Sequence, residues 1–150
     1  MFKFMKSKKG FTLVELMIVV VIMAILVAVA VPIFSAVTAN AKKKTCIGNQ
    51  RQIISSVGDW IMVQPNPSAI DGGFSVTGGQ DSGAFTGWSG SMSANEASIK
   101  GLFKTIPVCP ADGVIKVEIE VGSSATGKQS TVKTSCTVDE HIVPNTTPNT

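Results

Sequence analysis

The sequence predicts an α+β fold in which a long N-terminal helix packs on a small antiparallel β-sheet near the C-terminus. Three patterns support this prediction. Residues 11–34 are almost wholly apolar and contain one charged residue, Glu15. Residues 35–62 repeat apolar side chains at three- and four-residue spacing, which is typical of an amphipathic helix. Residues 114–121 and 131–138 alternate apolar and polar side chains, which is typical of half-buried strands.

The first segment, residues 11–34, is long enough to cross a membrane. Its 24 residues extend roughly 36 Å as a helix, whereas the hydrocarbon core of a bilayer is about 30 Å thick. Four of the 13 Lys and Arg residues lie in the preceding leader, residues 1–10. Because a positive flank marks the cytoplasmic side, we expect a single membrane span with a cytoplasmic N-terminus and an exported remainder.

The charge beyond the leader is close to balanced, which gives no support to a nucleic-acid partner. One basic run remains, Lys42–Lys44. We interpret it as a solvated helix face or as an anchor at the membrane surface.

Glu15 is the residue that a simple membrane anchor leaves unexplained, since an ionisable side chain within a membrane segment is costly and usually has a partner. An ordinary secretory signal peptide is one alternative, because the chain has a basic start and a small-residue site at Ala28–Ala30. However, the apolar stretch is long for such a peptide. An uncleaved anchor, or a carboxylate wetted by lipid headgroups, are further alternatives.

The stretch "KKG" followed by "FTLVELMIVVVIMAILVAVAVPIF" resembles the N-terminus of type IV pilins and of the pseudopilins of type II secretion. The likeness covers about residues 6–37 and includes Gly10, Phe11, Glu15 and Pro32. The resemblance implies that a prepilin peptidase at the cytoplasmic face cuts between Gly10 and Phe11. It also implies methylation of the new amino group of Phe11.

The same resemblance supplies a partner for Glu15. The carboxylate of an incoming subunit would pair with the Phe11 amine of its neighbour, which sets axial register in an apolar helix bundle. Pro32 is expected to kink or loosen the helix. The implied partners are further copies of the chain, minor pilins, the prepilin peptidase, an inner-membrane assembly platform and a cytoplasmic ATPase. The filament is expected in the periplasm or at the cell surface.

The second half of the helix, residues 35–62, is expected to carry the surface on which a small head packs. Its polar flank includes Gln50, Arg51 and Gln52. The apolar stripe consists of Cys46, Ile47, Ile53, Ile54, Val57, Trp60 and Ile61.

The next region, residues 63–106, is rich in Gly and Ser, so the sequence predicts a loop region. We expect its aromatic residues, Phe74, Phe85 and Trp88, to pin the loop to the helix or sheet. A monomeric membrane-anchored binding module that uses these aromatic residues is a further functional hypothesis. The region lacks the ligand-spaced carboxylates of a calcium loop, and no metal site is predicted.

The last structured region, residues 107–143, is predicted to be a β-hairpin or small sheet closed by a disulfide. Exported proteins lie in an oxidising compartment, where cysteines are expected to pair. The stretches "IPVCPADG" and "TSCTVDEH" resemble the ending of many small pilin-like proteins. This resemblance implies a Cys109–Cys136 bond, which would stabilise the head by roughly 3–4 kcal/mol. We expect Cys46 to be buried and unpaired, and His141 to be exposed.

The sequence contains no catalytic constellation, so neither an enzyme nor a cofactor is predicted. It has one histidine and three cysteines, which fit a structural role better than a nucleophilic one. The tail, residues 144–150, is predicted to be disordered. The function that the resemblance implies is that of a structural subunit of a type IV pilus-like filament. The alternatives are a type II secretion pseudopilin and the monomeric binding module.

Overall fold

The computed structural model describes residues 10–78, 83–120, 122–123 and 125–138, together with His141 and Val143. The predictions for the rest of the leader, for Val121 and for the tail fall outside the described residues and stay predictions. The chain forms two compact units, each held together mainly by its own internal contacts; the first ends at Ala39 and the second begins at Asn40. The two units are described separately, and the second is called the head.

Helix α1, Leu13–Met62, ends at the residue where the sequence predicts it to end and continues through Pro32. In the first unit the apolar side chains of α1 are exposed, and no part of its most apolar stretch is buried. Among the described residues, α1 has the length and composition needed to cross a membrane. This finding agrees with the membrane segment predicted from the sequence.

The head contains a four-stranded antiparallel sheet with the strand order β2-β1-β3-β4. A short helix, α2 (Glu96–Gly101), lies between the second and third strands. The predicted α+β fold and the predicted C-terminal hairpin are therefore confirmed. The strands are β1 (Gly72–Thr77), β2 (Ala84–Ser89), β3 (Ile115–Glu120) and β4 (Thr131–Cys136).

One face of α1 and one face of the sheet share the core of the head. In β3 the side chains alternate strictly between buried and exposed, as the sequence predicts. On α1, the buried positions recur at three- and four-residue spacing, but they include Gln50, which is fully buried. The prediction that Gln50 lies on the polar flank was therefore wrong. The principal core residues of α1, β1 and β3 are Ile53, Val57, Ile61, Phe74, Val76, Ile115, Val117 and Ile119.

The prediction of a loop region over residues 63–106 was wrong for Gly72–Thr77 and Ala84–Ser89, which form strands β1 and β2. Glycine is needed at two positions of β1 because the backbone of a neighbouring strand lies too close to leave room for a side chain. A Cβ on Gly73 would lie 2.2 Å from the carbonyl oxygen of Val117. At Gly72, φ is +104° and a Cβ would lie 2.1 Å from the carbonyl oxygen of Ser89. The glycines that suggested a loop are needed by these strand contacts.

The aromatic residues of this region lie in strands β1 and β2 and pack against one another, whereas the sequence predicted that they pin a loop to the helix or sheet. The rings of Phe74 and Trp88 stack with centroids 4.8 Å apart, and Phe74 meets Phe85 edge-on at 5.5 Å. Phe85 also contacts Phe103 of the core, with centroids 5.6 Å apart. Because Phe74 and Phe85 are only 2% and 7% exposed, neither ring offers the contact surface that a binding module would need.

We predict that Ile53→Ala lowers the free energy of unfolding of the head by about 2–5 kcal/mol, because it removes a fully buried side chain and leaves a cavity. The matched control is Met62→Ala on the same helix, which removes an exposed side chain and should cost less than about 0.5 kcal/mol. Urea unfolding of the full chain in detergent micelles, followed by tryptophan fluorescence, measures both. Equal losses would contradict the packing described here.

Candidate functional site

The head brings together, from distant parts of the chain, four side chains that could bind a metal ion or, in the case of the thiols, form a disulfide. Cys46 lies on α1, Cys109 precedes β3, Cys136 ends β4, and His141 follows it. Their Sγ and imidazole nitrogen atoms all lie within 4.8 Å of one another. We call these four residues the thiol–histidine cluster.

The cluster is buried within the head. Cys46 and Cys109 have no exposed surface, His141 is 6% exposed, and Cys136 is half-buried. The prediction that Cys46 is buried is confirmed, whereas the prediction that His141 is exposed was wrong. The backbone N–H of His141 donates to the carbonyl oxygen of Val138, two residues beyond the end of β4, at 3.2 Å.

Two contacts define the geometry of the cluster. The Sγ atoms of Cys46 and Cys136 are 3.6 Å apart, and Cys109 Sγ is 3.4 Å from Nδ1 of His141. All three cysteines are free thiols in this structure. The Cys109–Cys136 disulfide implied by the resemblance is not formed here and stays a prediction.

Gln50 holds one side of the cluster in place. Its side-chain amide donates to the carbonyl oxygen of His141 at 2.6 Å and to Cys46 Sγ at 3.4 Å. Its carbonyl oxygen accepts a hydrogen bond from the Thr134 hydroxyl at 3.1 Å. A fully buried amide is tolerated because these bonds satisfy it. Gln50 therefore links α1 to β4 and to the residue that bears the imidazole.

Helix α1 also positions the segment that carries Cys109. The side chain of Asn49 donates to the carbonyl oxygen of Val108 at 2.6 Å. The next residues form a turn in which Asp112 N–H donates to the carbonyl oxygen of Cys109 at 3.1 Å. Asp112 itself has φ of 57°, a left-handed conformation that Asp tolerates better than most residues.

The three thiols have different electrostatic surroundings. Burial raises the pKa of Cys46, and the neighbouring Cys109 raises it further. Burial also raises the pKa of Cys136. For Cys109, burial acts in the same direction, but hydrogen bonds from Cys46 and from the backbone N–H groups of Ala111 and Gly113 outweigh it and lower the pKa. Cys109 is therefore the thiol best suited to carry negative charge.

The sequence analysis missed the thiol–histidine cluster as a unit. Cys136 and His141 are separated by four residues, a spacing that occurs in metal-ligand motifs. The other two ligands lie far away in the sequence and match no motif. Without the tertiary structure, that one spacing is too weak a signal.

The second candidate site is the start of α1. Gly10, Phe11 and Thr12 are all exposed, and Phe11 has 84% of its surface exposed. They lie directly before Leu13, the first residue of the helix. The peptide bond that the resemblance identifies as the cleavage point is therefore exposed at a helix terminus.

Glu15 forms a capping box with Thr12. Glu15 Oε2 accepts hydrogen bonds from the backbone N–H and the hydroxyl of Thr12, both at 2.8 Å. In return, the backbone N–H of Glu15 donates to the Thr12 hydroxyl at 3.3 Å. This reciprocal arrangement satisfies N–H groups that would otherwise be unpaired at a helix start. The sequence analysis missed it, although Thr-x-x-Glu before an apolar run is the signature of such a cap.

The cap leaves part of the Glu15 carboxylate available. Both bonds from Thr12 reach Oε2, and Oε1 has no hydrogen bond to any residue that the structure describes. A carboxylate has about four lone-pair sites. Glu15 can therefore hold the local cap and accept a cation from elsewhere at the same time.

Comparison with known families decides what the N-terminal segment is. A family profile described as "Prokaryotic N-terminal methylation motif" matches residues 5–31. The chain carries the prepilin motif of type IV pilins and pseudopilins. The resemblance stated from the sequence is thus confirmed for this segment. Comparisons with curated proteins and with solved structures found no match.

The prepilin motif contains Gly10, Phe11, Thr12 and Glu15, so the capping box lies inside it. The motif ends at residue 31, before the head begins at Asn40. It therefore bears on processing and membrane insertion. The thiol–histidine cluster has to be interpreted from its own geometry.

We predict that Gln50→Ala lowers the free energy of unfolding of the head by about 1–3 kcal/mol, because it leaves the buried carbonyl oxygen of His141 without its donor. Gln52→Ala is the matched control, since Gln52 is an exposed residue of the same type one half-turn away. Its cost should stay within about 0.5 kcal/mol. Chemical denaturation of both variants beside the unaltered chain measures the difference. Similar small losses in both would show that Gln50 does not brace the cluster.

Proposed function

We propose that the chain is made as a prepilin, cut between Gly10 and Phe11, N-methylated at Phe11 and assembled as a structural subunit of a type IV pilus-like filament. The observation that carries this proposal is the prepilin motif at residues 5–31. An exposed cleavage point and a carboxylate one helical turn beyond it support the proposal. In this role the chain is a substrate of the peptidase and acts as a building block rather than as an enzyme.

Processing begins with orientation in the inner membrane. The lysines of the leader keep the N-terminus in the cytoplasm, and α1 supplies the span. The prepilin peptidase then reaches Gly10 and Phe11 from the cytoplasmic face; both residues are exposed in the isolated chain. The cut removes the basic leader and creates a cationic amine on Phe11.

Assembly uses the new amine and Glu15 together. The amine of one subunit pairs with Glu15 of the next, since Oε1 has no partner among the described residues while Oε2 serves the cap. A charge in an apolar setting is tolerable when it is paired and hydrogen-bonded. The pairing therefore favours one axial position of a new subunit over others that leave both charges unpaired.

The apolar half of α1 provides the packing surface of the filament core. Its large side chains from Leu13 to Val37 are exposed in the isolated chain. Lipid covers such a surface before assembly, and other copies of α1 replace the lipid in a helix bundle. We propose an inner-membrane platform and a cytoplasmic ATPase as the partners that drive this transfer, with minor pilins as further subunits.

A type II secretion pseudopilin would carry the same prepilin motif and would use the same cut and the same pairing. The two roles differ in where the filament lies and in its length. A pilus emerges from the cell surface, whereas a pseudopilus is a short periplasmic piston. Electron microscopy of cells assembling the chain, together with an assay of protein secretion, separates them.

We predict that co-expression with a prepilin peptidase yields a mature chain that begins at a methylated Phe11. Intact-mass and N-terminal peptide mass spectrometry check this directly. Expression without the peptidase is the control and should leave the leader attached. A mature chain that begins at Val31 would support the ordinary signal peptide and overturn the proposal.

We further predict that Glu15→Gln blocks filament formation but leaves membrane insertion and cleavage intact. Gln still completes a capping box but cannot neutralise the Phe11 amine. Thr12→Ala is the complementary control, because it removes the capping hydroxyl and keeps the carboxylate. This variant should still form filaments, with helix stability reduced by about 0.5–2 kcal/mol.

Filament yield by electron microscopy and cleavage by mass spectrometry are read on the same cells. Normal filaments from the cleaved Glu15→Gln chain would remove the register role of Glu15. Loss of filaments in Thr12→Ala alone would assign assembly to the cap instead.

A further inference from the structure

We propose that Cys46, Cys109, Cys136 and His141 form a structural Zn²⁺ site of the Cys₃His type within the head. Such a site joins α1, the segment before β3, the end of β4 and the chain that follows it. The proposal depends on the thiol–histidine cluster alone and is independent of how the N-terminus is processed.

The spacing of the ligands fits a tetrahedral ion. With Zn–S near 2.3 Å and Zn–N near 2.0–2.1 Å, two sulfurs of a tetrahedron are about 3.8 Å apart, and a sulfur and a nitrogen are about 3.6 Å apart. The observed Cys46–Cys136 and Cys109–His141 contacts are 3.6 Å and 3.4 Å. Two opposite edges of the coordination tetrahedron are therefore close to the required length, and all four donor atoms lie within 4.8 Å of one another, so that a shift of about 1 Å would complete the tetrahedron.

The number of ligands favours a metal over a disulfide. A Cys109–Cys136 bond would use two ligands and leave the buried Cys46 and His141 beside it without a role. A zinc ion would use all four. Three thiolates and an imidazole are ligands of the softness that zinc prefers, and four protein ligands leave no open position for a reaction. The site would accordingly serve stability rather than catalysis.

Formation of the site requires no oxidant. Each of the three thiols loses its proton to solvent and gives a sulfur electron pair to the ion, and no atom changes its oxidation state. Formation of a disulfide instead removes two electrons and needs an electron acceptor. The two outcomes therefore leave different products, either three thiolates bound to one metal ion or one disulfide with one free thiol.

Hydrogen bonds already surround the sulfurs, as expected for a thiolate site. The Gln50 amide donates to Cys46 Sγ at 3.4 Å. The nearby backbone N–H groups of Ala111 and Gly113 lower the pKa of Cys109, and that of Val138 acts in the same direction on the pKa of Cys136. Such donors offset negative charge on sulfur and orient it toward a shared ion.

Gly113 makes room for this arrangement. A Cβ at this position would lie 2.8 Å from Cys136 Sγ and 3.3 Å from Cys109 Sγ. It would also lie 2.6 Å from Cγ2 of Val138, so a side chain here would displace Val138 and the sulfur of Cys136. The glycine after the Cys109 turn thus allows both sulfurs to approach the same point.

The test measures metal on the full chain, purified in detergent micelles with zinc present and without any disulfide reductant. Elemental analysis should find one zinc per chain after extensive dialysis. Replacement by Co²⁺ should give the intense visible absorption of a tetrahedral site and a sulfur-to-cobalt charge-transfer band. Alkylation after unfolding in chelator should modify all three cysteines.

Cys46→Ser and His141→Ala are the decisive variants, because neither residue takes part in the predicted Cys109–Cys136 disulfide. Each should weaken zinc binding at least about ten-fold. Substitution of residues that merely support metal ligands already weakens metal binding by about this factor, and loss of a ligand should cost at least as much. His141→Cys should restore binding, since it provides a four-thiolate set. Val57→Ala is the matched control: Val57 is buried on the same face of α1 as Cys46 but is not a ligand, so its zinc should stay at one per chain.

Two results would overturn the proposal. One is a chain without stoichiometric metal in which Cys109 and Cys136 resist alkylation until a disulfide reductant is added. The other is full zinc binding by both Cys46→Ser and His141→Ala. The first result would establish the disulfide implied by the sequence resemblance in place of the metal.

Discussion

The packing of one face of α1 against β1 and β3 is the interaction on which the rest of the head depends. Ile53, Val57 and Ile61 form a continuous core with the inward side chains of the sheet. The same face carries Cys46 and Gln50. A shift of α1 along the sheet would therefore break the hydrophobic core, the Gln50 hydrogen bonds and the thiol–histidine cluster together, because all three share one helical register.

At the other end of α1, a single carboxylate answers two physical requirements. A helix start has unpaired N–H groups, and Glu15 with Thr12 satisfies part of that need through a capping box. An apolar segment also tolerates a charge poorly unless it is paired. In the proposed filament the Phe11 amine provides that pairing, so a residue that is costly in an isolated anchor becomes useful in an assembly.

The head is small, and small domains need additional stabilisation because they bury little apolar surface. Here the aromatic residues around Phe74 extend the core to β2 and to Phe103, which follows α2, and the thiol–histidine cluster joins three further segments. Whether two cysteines bond or all four ligands hold zinc, the link falls between elements distant in sequence. Cross-links of this kind restrict the unfolded chain more than local ones do.

The sequence by itself determined the features that depend on local pattern: the prepilin motif, the end of α1 at Met62, the alternation in β3 and the hairpin that β3 forms with β4. Periodicity and short motifs encode these because neighbouring residues suffice to specify them. The tertiary structure alone decided that Gly72 and Gly73 lie in a strand, that Gln50 and His141 are buried, and that His141 meets three cysteines. Those outcomes depend on which distant segments come together in space, and the spacing of residues along the chain does not reveal this.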